Sequence, residues 1–551
     1  MQRRTLFRLA AQSATAAALP RWAWSNPLRG RDLFALGVAS GSPSTDGFVL
    51  WTRLLGGPVP GLVSDGAAAG AAASDSSGAN GDAGGEPLPE RLTVRWEVAD
   101  DEGFKRIATA GQADALAALG HSVHVEVAGM QPDRWYFYRF MHGDAVSAIG
   151  RTRTLPAADT MPARLRFAFA SCQRWEHGYY AAHRHLLDER LDLLLFLGDY
   201  IYEYATPAKP SVPLARRHSL RTAATLADFR DRYALHKSDA DLQAVHRACP
   251  WIVTWDDHEV QNNYAGTFGQ GPADSFAARR AAAYQAFYEN MPLRASVLAQ
   301  GVSGLGTQHA LRIYDRYRFG RLAGFHVLDT RQYRDRQACR VPGGALRGLL
   351  TPEDCPEQFD PQRTMLGTEQ ERWLQEGLRQ DAHGGAVRWS VLAQQTLFSQ
   401  RNYRALPEQR YGTDAWDGYP AARQRMLDAL RKQAPRNAVF IGGDIHQNYV
   451  CRVKADFTQP DAPVIASEFC GTSISSATGS TQASVDAIAA HNPHVLLARA
   501  DRRGYSVVEV TPARWTTTLR VLDDVTRVDS GIATLATFDV EDGRAGPVRR
   551  D

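Results

Sequence analysis

Gly198-Asp199-Tyr200-Ile201-Tyr202 and Gly442-Gly443-Asp444-Ile445-His446 each follow an apolar run and carry side chains that bind hard or borderline cations. Carboxylate, phenolate and imidazole together form a donor set for Fe(III) or a divalent partner. The first peptide follows Leu193-Leu194-Leu195-Phe196-Leu197, long enough for a buried strand and short for a helix, so Asp199 belongs at a strand end. The second follows Ala438-Val439-Phe440-Ile441 across a Gly-Gly turn, where backbone can pass close to a ligand. Taken singly, Gly-Asp after a strand is equally an ordinary turn.

Four further runs end the same way. Leu165–Ala170 leads to Ser171-Cys172, and Trp251–Trp255 to Asp256-Asp257-His258-Glu259. Leu322–Leu328 leads to Asp329-Thr330-Arg331, and Trp389–Ala393 to Gln394-Gln395. Helical stretches are expected between them, over Tyr180–Arg190, Leu226–Ala248, Ser275–Met291, Thr368–Asp381 and Pro420–Gln433. Thr368 and Glu371 have capping-box spacing, and Pro420 suits a first helical turn. Strands alternating with helices predict an α/β sheet whose ligands gather at the strand carboxyl ends.

The 551 residues exceed what one core normally serves, so two domains are expected. A net charge of +3, from 63 basic and 60 acidic side chains, selects no class of partner. No basic block interleaved with aromatics marks a nucleic-acid-binding module. Arg3-Arg4-Thr5-Leu6-Phe7-Arg8, the alanine-rich run Leu9–Leu19 and the small residues before Asn26 read as a twin-arginine signal over residues 1–25. That run is too short and too weakly apolar to span a membrane, and no later stretch reaches spanning length. A periplasmic or secreted protein is expected, with the twin-arginine translocase as its export partner.

Residues 34–156 change character. Thr93–Val98, His121–Val127 and Trp135–Phe140 alternate apolar and polar residues between Gly, Pro and Asp turns, which predicts an all-β sandwich of the immunoglobulin or fibronectin kind. Within it, residues 56–90 are Gly/Ala/Ser-rich with too few large apolar side chains for a core, and read as a disordered insertion. The boundary falls near Thr152–Pro162; a catalytic domain over 163–525 and a tail over 526–551 follow. Cys339 and Cys355 flank a turn-rich loop and are expected to pair in an oxidising compartment. Cys172 reads as a buried thiol, a disulfide partner or a ligand.

Phe34–Gly41 with Val49–Arg53, Ala170–Gln173, Gly198–Glu203, Trp255–Asn263, Leu328–Tyr333, Gly442–His446 and Glu468–Ser473 occur in the order found in PhoD-like alkaline phosphatases, and nearly the whole chain resembles that family. The resemblance implies an immunoglobulin-like N-terminal domain followed by an α/β metallophosphoesterase sandwich of the calcineurin type, with Fe(III) and Ca²⁺ at the active site. Carried over, it makes Asp199 the bridging ligand, Cys172, Tyr202 and His446 the remaining iron ligands, and Asp257 and Asp444 ligands of the second metal. Gln394 and Asn262 would be additional oxygen donors. His258 would be the general acid or phosphoryl stabiliser, and Arg331 the fork that grips phosphate. The implied reaction is hydrolysis of phosphate esters, monoesters and diesters, by a metal-bound hydroxide. A phosphodiesterase or phospholipase-like enzyme would use the same site. An exported binding protein with an inactive phosphoesterase domain would lack several ligands, and here they are all present.

Overall fold

The computed structural model describes residues 32–63, 87–298, 311–340, 348–383, 387–404 and 408–550. The expected signal, 1–25, and most of the expected insertion, 64–86, lie outside the described residues. In chain order the N-terminal strands are β1 (Val38–Gly41), β2 (Phe48–Arg53), β3 (Arg91–Ala99), β4 (Ile107–Leu116), β5 (Ser122–Val127), β6 (Trp135–His142), β7 (Ala145–Val146) and β8 (Gly150–Arg153). The catalytic region contributes β9 (Leu165–Ala170), β10 (Leu193–Leu197), β11 (Trp251–Thr254), β12 (Asp315–Phe319), β13 (Ala323–Val327), β14 (Trp389–Ala393) and β15 (Ala438–Gly442). It continues with β16 (Asn448–Lys454), β17 (Val464–Cys470), β18 (Val495–Arg499), β19 (Gly504–Val510), β20 (Arg514–Leu522), β21 (Ile532–Glu541) and β22 (Val548–Arg549).

Two large sheets stack face to face. One is ten-stranded, in the order β22-β21-β20-β19-β9-β10-β11-β1-β2-β5; the other is seven-stranded, β12-β13-β14-β15-β17-β16-β18. Strands β9, β10 and β11 run parallel, as do β13, β14 and β15. Their apolar runs are continuous because both faces are covered. Phe167, Phe169, Leu195 and Leu197 face Phe325, Val391, Val439 and Ile441 between the sheets, and Phe167 meets Phe325 edge to face at 5.3 Å. The alternate residues, Ala168, Leu194 and Phe196, turn to a second core with Phe229, Tyr233 and Phe287 from the helices. Every parallel strand therefore delivers its carboxyl end to one rim of the sandwich.

The helices are α1 (Ala181–Asp188), α2 (Leu226–Lys237), α3 (Ala240–His246), α4 (Ala273–Asn290), α5 (Gly367–His383), α6 (Pro420–Gln433) and α7 (Gln482–Ala490). The single helix expected over Leu226–Ala248 is broken because the Asp239 side chain accepts from Asp241 N and Leu242 N and caps a new helix. At α5, Thr364 Oγ1 takes the capping role expected of Thr368. It accepts from Gly367 N (2.8 Å) and donates to Glu371 (2.7 Å).

Two boundaries differ from expectation. β1, β2 and β5 pack against β3, β6 and their neighbours through Phe48, Leu50, Val125, Val94, Tyr138 and Phe140, as a sandwich should. Yet they also extend the catalytic sheet, because β1 pairs in parallel with β11 at Gly41 and Trp251. Residues 526–551 are not a loose tail: β21 pairs with β20 along its length, burying Ala536, Phe538 and Val540.

Candidate metal centre

Six loops follow the parallel strands onto the shared rim. Cys172, Asp199, Asp444 and His446 all adopt left-handed backbone, with φ of 61°, 54°, 66° and 55°. Such conformations cost non-glycine residues roughly 1–3 kcal/mol each and persist where the surrounding structure dictates them. The dictation here comes from packed loops. Cys172 N donates to Gly198 O (3.1 Å) and Gln173 N to Asp199 O (3.0 Å), binding the loops after β9 and β10 together. Gly198 has φ +103°, and a Cβ there would collide with Asp256, so only glycine admits this approach.

Two clusters of potential ligands result, and Asp199 belongs to both. Single donor atoms of Cys172, Asp199 and His446 lie within 4.8 Å of one another, and so do those of Asp199, Asp257 and His258. Tyr202 completes the first cluster: its hydroxyl donates to Asp199 Oδ2 (2.8 Å) and lies 3.0 Å from His446 Nε2. His446 Nδ1 faces the Ala477 carbonyl at 2.8 Å, so the proton sits there and Nε2 keeps its lone pair. Burial holds His446 neutral, with its pKa lowered to about 3. Burial and the Asp199 carboxylate push the Cys172 thiol and the Tyr202 phenol well up. Neither ionises there without an added cation, which is what a thiolate-phenolate metal cage requires.

The second cluster is surrounded by charge. Arg331 is fully buried and bonds Asp256 through Nε and Asp414 through Nη1 (2.9 Å); Asp444 and Asp257 lie 3.6 and 3.8 Å from its nitrogens. Arg334 adds a second guanidinium on Asp414 (2.7 Å). Asp257 Oδ2 accepts from Asn263 N (2.6 Å), while its Oδ1 is buried without a partner among the described residues. An orphaned carboxylate oxygen beside Asp199 fits a cation of the hard, oxygen-seeking kind.

His258 stands where the clusters meet. Its ring lies over Tyr202 at 4.1 Å, its amide reaches Asp199 Oδ1 (3.3 Å), and its Nδ1 is 2.7 Å from Glu203 Oε2. Burial opposes the imidazolium, but Glu203, Asp257 and Asp199 raise its pKa well above the usual histidine value.

The rim thus brings together Cys172, Asp199, Tyr202, Asp257, His258, Arg331, Asp444 and His446. Three expectations are revised. Arg331 is enclosed by carboxylates, so its guanidinium balances and orients them and has no free fork for phosphate. Gln394 is consumed by its own loop: Oε1 accepts from Thr396 N and Trp416 Nε1, and Nε2 donates to Thr396 O. Asn263, not Asn262, reaches the carboxylates; with its amide turned to donate, it bonds Asp257 (3.1 Å) and Asp414 (3.2 Å).

Sequence reasoning assigned no role to Glu203, Glu259, Asp256 or Asp414. Glu259 accepts from Asp199 N (3.1 Å), Tyr200 N (2.6 Å) and Asp256 N (2.9 Å), clamping the loops after β10 and β11. Its position beside His258 was the available signal. Asp414 follows no strand and gave none. A cleft of about 290 Å³ opens beside Asp414 and Asp444, walled by Leu349, Leu397, Arg401, Tyr403 and Ile445.

Comparison with known proteins places the chain in a family. The PhoD-like phosphatase model matches residues 167–519, and that of the PhoD-like phosphatase N-terminal domain matches residues 20–156. Alkaline phosphatase D of Bacillus subtilis (strain 168) is 41% identical over 519 residues, covering 93% of this chain and 82% of that protein. A solved structure of PhoD superposes with a TM-score of 0.82 at 39% identity, over 95% of this chain and 93% of that one. Matched by both family models and by a relative 41% identical over 93% of its length, the chain belongs to the PhoD-like phosphatase family.

Proposed function

We propose that this phosphoric ester hydrolase is an exported, metal-dependent enzyme with Fe(III) held by Cys172, Asp199, Tyr202 and His446 and Ca²⁺ held by Asp199, Asp257 and Asp444. The observation that carries the reading is that Asp199 belongs to both donor clusters, as a carboxylate shared by two ions must; Asp444, outside the second cluster, stands beside it at 3.6 Å from Arg331. Cysteine and tyrosine suit Fe(III), and an oxygen-only set suits Ca²⁺ better than zinc. Bound there, the cations supply Lewis-acid charge that acidifies water and offsets negative charge on phosphoryl oxygens.

The chain's own groups have separate tasks. Glu203 holds His258 through Nδ1 and favours its charged form, so that Nε2 can give a proton to the departing oxygen of the ester. Arg331 holds Asp257 below the ordinary carboxylate range against burial and orients both Asp257 and Asp444. The strands behind them are rigid and doubly covered, so little reorganisation is needed as charge develops.

Metal analysis joined to an ester panel tests the proposal. Purified enzyme should contain iron and calcium together, show a visible charge-transfer band and hydrolyse p-nitrophenyl and bis-(p-nitrophenyl) phosphate. Chelation of calcium should abolish turnover while iron and colour largely persist. Colourless, iron-free enzyme that is fully active with zinc alone overturns the metal assignment and leaves ester hydrolysis standing. Export by the twin-arginine route predicts that replacing Arg3 and Arg4 by lysine retains the protein in the cytoplasm.

A further inference from the structure

The cleft beside Asp444 has one cation among its described lining residues, Arg401, set in a wall of Leu349, Leu397, Tyr403 and Ile445. Its guanidinium lies 4.8 Å from the centre of the Tyr403 ring and 5.9 Å from that of Tyr449, which hold it in place from the side. The acidic residues of the same wall are already committed. Asp414 pairs with Arg331 and Arg334, and Asp417 pairs with Arg423. Asp417 also accepts from the Arg401 backbone amide at 2.9 Å, which fixes the main chain without neutralising the side chain. Among the described residues no carboxylate forms an ion pair with Arg401.

A half-buried guanidinium in a cleft whose carboxylates, Asp414, Asp417 and Asp444, face other arginines is a receptor for a planar or tetrahedral anion. We infer that Arg401 is a specificity-determining residue that binds a negatively charged group on the organic substituent of the phosphate ester, while Leu349, Leu397 and Ile445 enclose the apolar stem between that group and phosphorus. The inference rests on the hydrolase reading and adds a preferred substrate class to it: esters whose alcohol bears a second anion.

Matched probes test it. 4-Carboxyphenyl and 4-carbamoylphenyl phosphate differ only in the distal charge, and the 4-carboxybenzyl and 4-carbamoylbenzyl phosphonates are their non-hydrolysable counterparts. Native enzyme should favour the carboxylate member of each pair by roughly 10-fold or more, in KM for the esters and in Kd for the phosphonates. Arg401→Gln should bring the two members of each pair into line, and Arg401→Lys should retain part of the difference, with metal content and thermal stability followed in both variants. Equal handling of the pair by native enzyme, or a preference that survives Arg401→Gln, overturns the inference and leaves the hydrolase reading intact. Preferential phosphonate binding without turnover of either ester would overturn the hydrolase reading and leave the role of Arg401 standing.

Discussion

The two sides of the rim share Asp199 but follow opposite electrostatic plans. On the Cys172 side, thiol, phenol and imidazole are buried in neutral form; the Tyr202 hydroxyl lies among Asp199, His446 and Ser476, whose Oγ is 2.8 Å away, and the thiol meets Ser171 Oγ at 3.2 Å. On the Arg331 side, Asp256, Asp257, Asp414 and Asp444 are gathered around buried guanidinium groups. The first side becomes an anionic cage only when a cation enters and protons leave. On the second, the Arg331 and Arg334 guanidiniums hold Asp257 and Asp414 below the ordinary carboxylate range against burial, while burial raises Asp256 and Asp444, so a cation there competes with a resident positive charge. On the metal assignment proposed above, that contrast predicts tighter retention on the Cys172 side than on the Arg331 side.

The sharpest test lies at the seam. His258→Ala should lower kcat by about 10²- to 10⁴-fold with both metals retained. Loss of metal in this variant would make His258 a ligand of the second cluster and redraw the boundary between the sides. Next, Arg331→Gln leaves four buried carboxylates undercompensated and should destabilise the fold by about 3–5 kcal/mol, read by denaturant or thermal unfolding. Iron and colour should survive it, because no Cys172-side donor touches Arg331. An unchanged unfolding midpoint would show that the carboxylates are balanced some other way. Tyr202→Phe is the complementary lesion. It removes the hydrogen bond donated to Asp199, should cost about 1–2 kcal/mol, and should weaken or shift the visible band while calcium content holds.

Glu468→Gln should affect turnover least and pH dependence most clearly. Glu468 accepts from Phe398 N (2.6 Å) and Ser399 N (2.8 Å) beside the cleft, and burial raises its pKa to about 7. The folded protein therefore keeps a proton that the unfolded chain has lost. Stability should fall as pH rises from about 4.5 to about 7, by about 3 kcal/mol at most. The glutamine variant should flatten that fall in a series of unfolding curves, and an unchanged slope would assign it to another group.

The strand ends were legible because a parallel sheet covered on both faces is written as an unbroken apolar run, and the residue after such a run must lie on the rim. That logic located Cys172, Asp199, Asp257 and Asp444 directly. What stayed hidden depends on partners distant in sequence. Arg331 looks like a free phosphate ligand until Asp256 and Asp414, 75 and 83 residues away, close around it. The opposite case is Gln394, whose amide is taken by Thr396 two residues on, a local bond that a count of polar strand ends does not register. The union of β1 with β11 was unreadable for the same reason as Arg331, since alternation within a strand says nothing about which edge it joins. β21 is readable: Phe538 and Val540 alternate with polar residues in a strand-like segment.

The pairing of β9 with β19 sets the timetable of synthesis. The ribosome releases β9, β10 and β11, with Cys172 and Asp199 at their ends, long before Gly504–Val510 arrives to cover the open side of β9. Until then that side presents unpaired backbone groups, the template on which strands from other chains can add. β20 and β21 must follow before the new edge lies away from the rim. The nascent protein therefore presents an open edge at β9 until Gly504–Val510 is made.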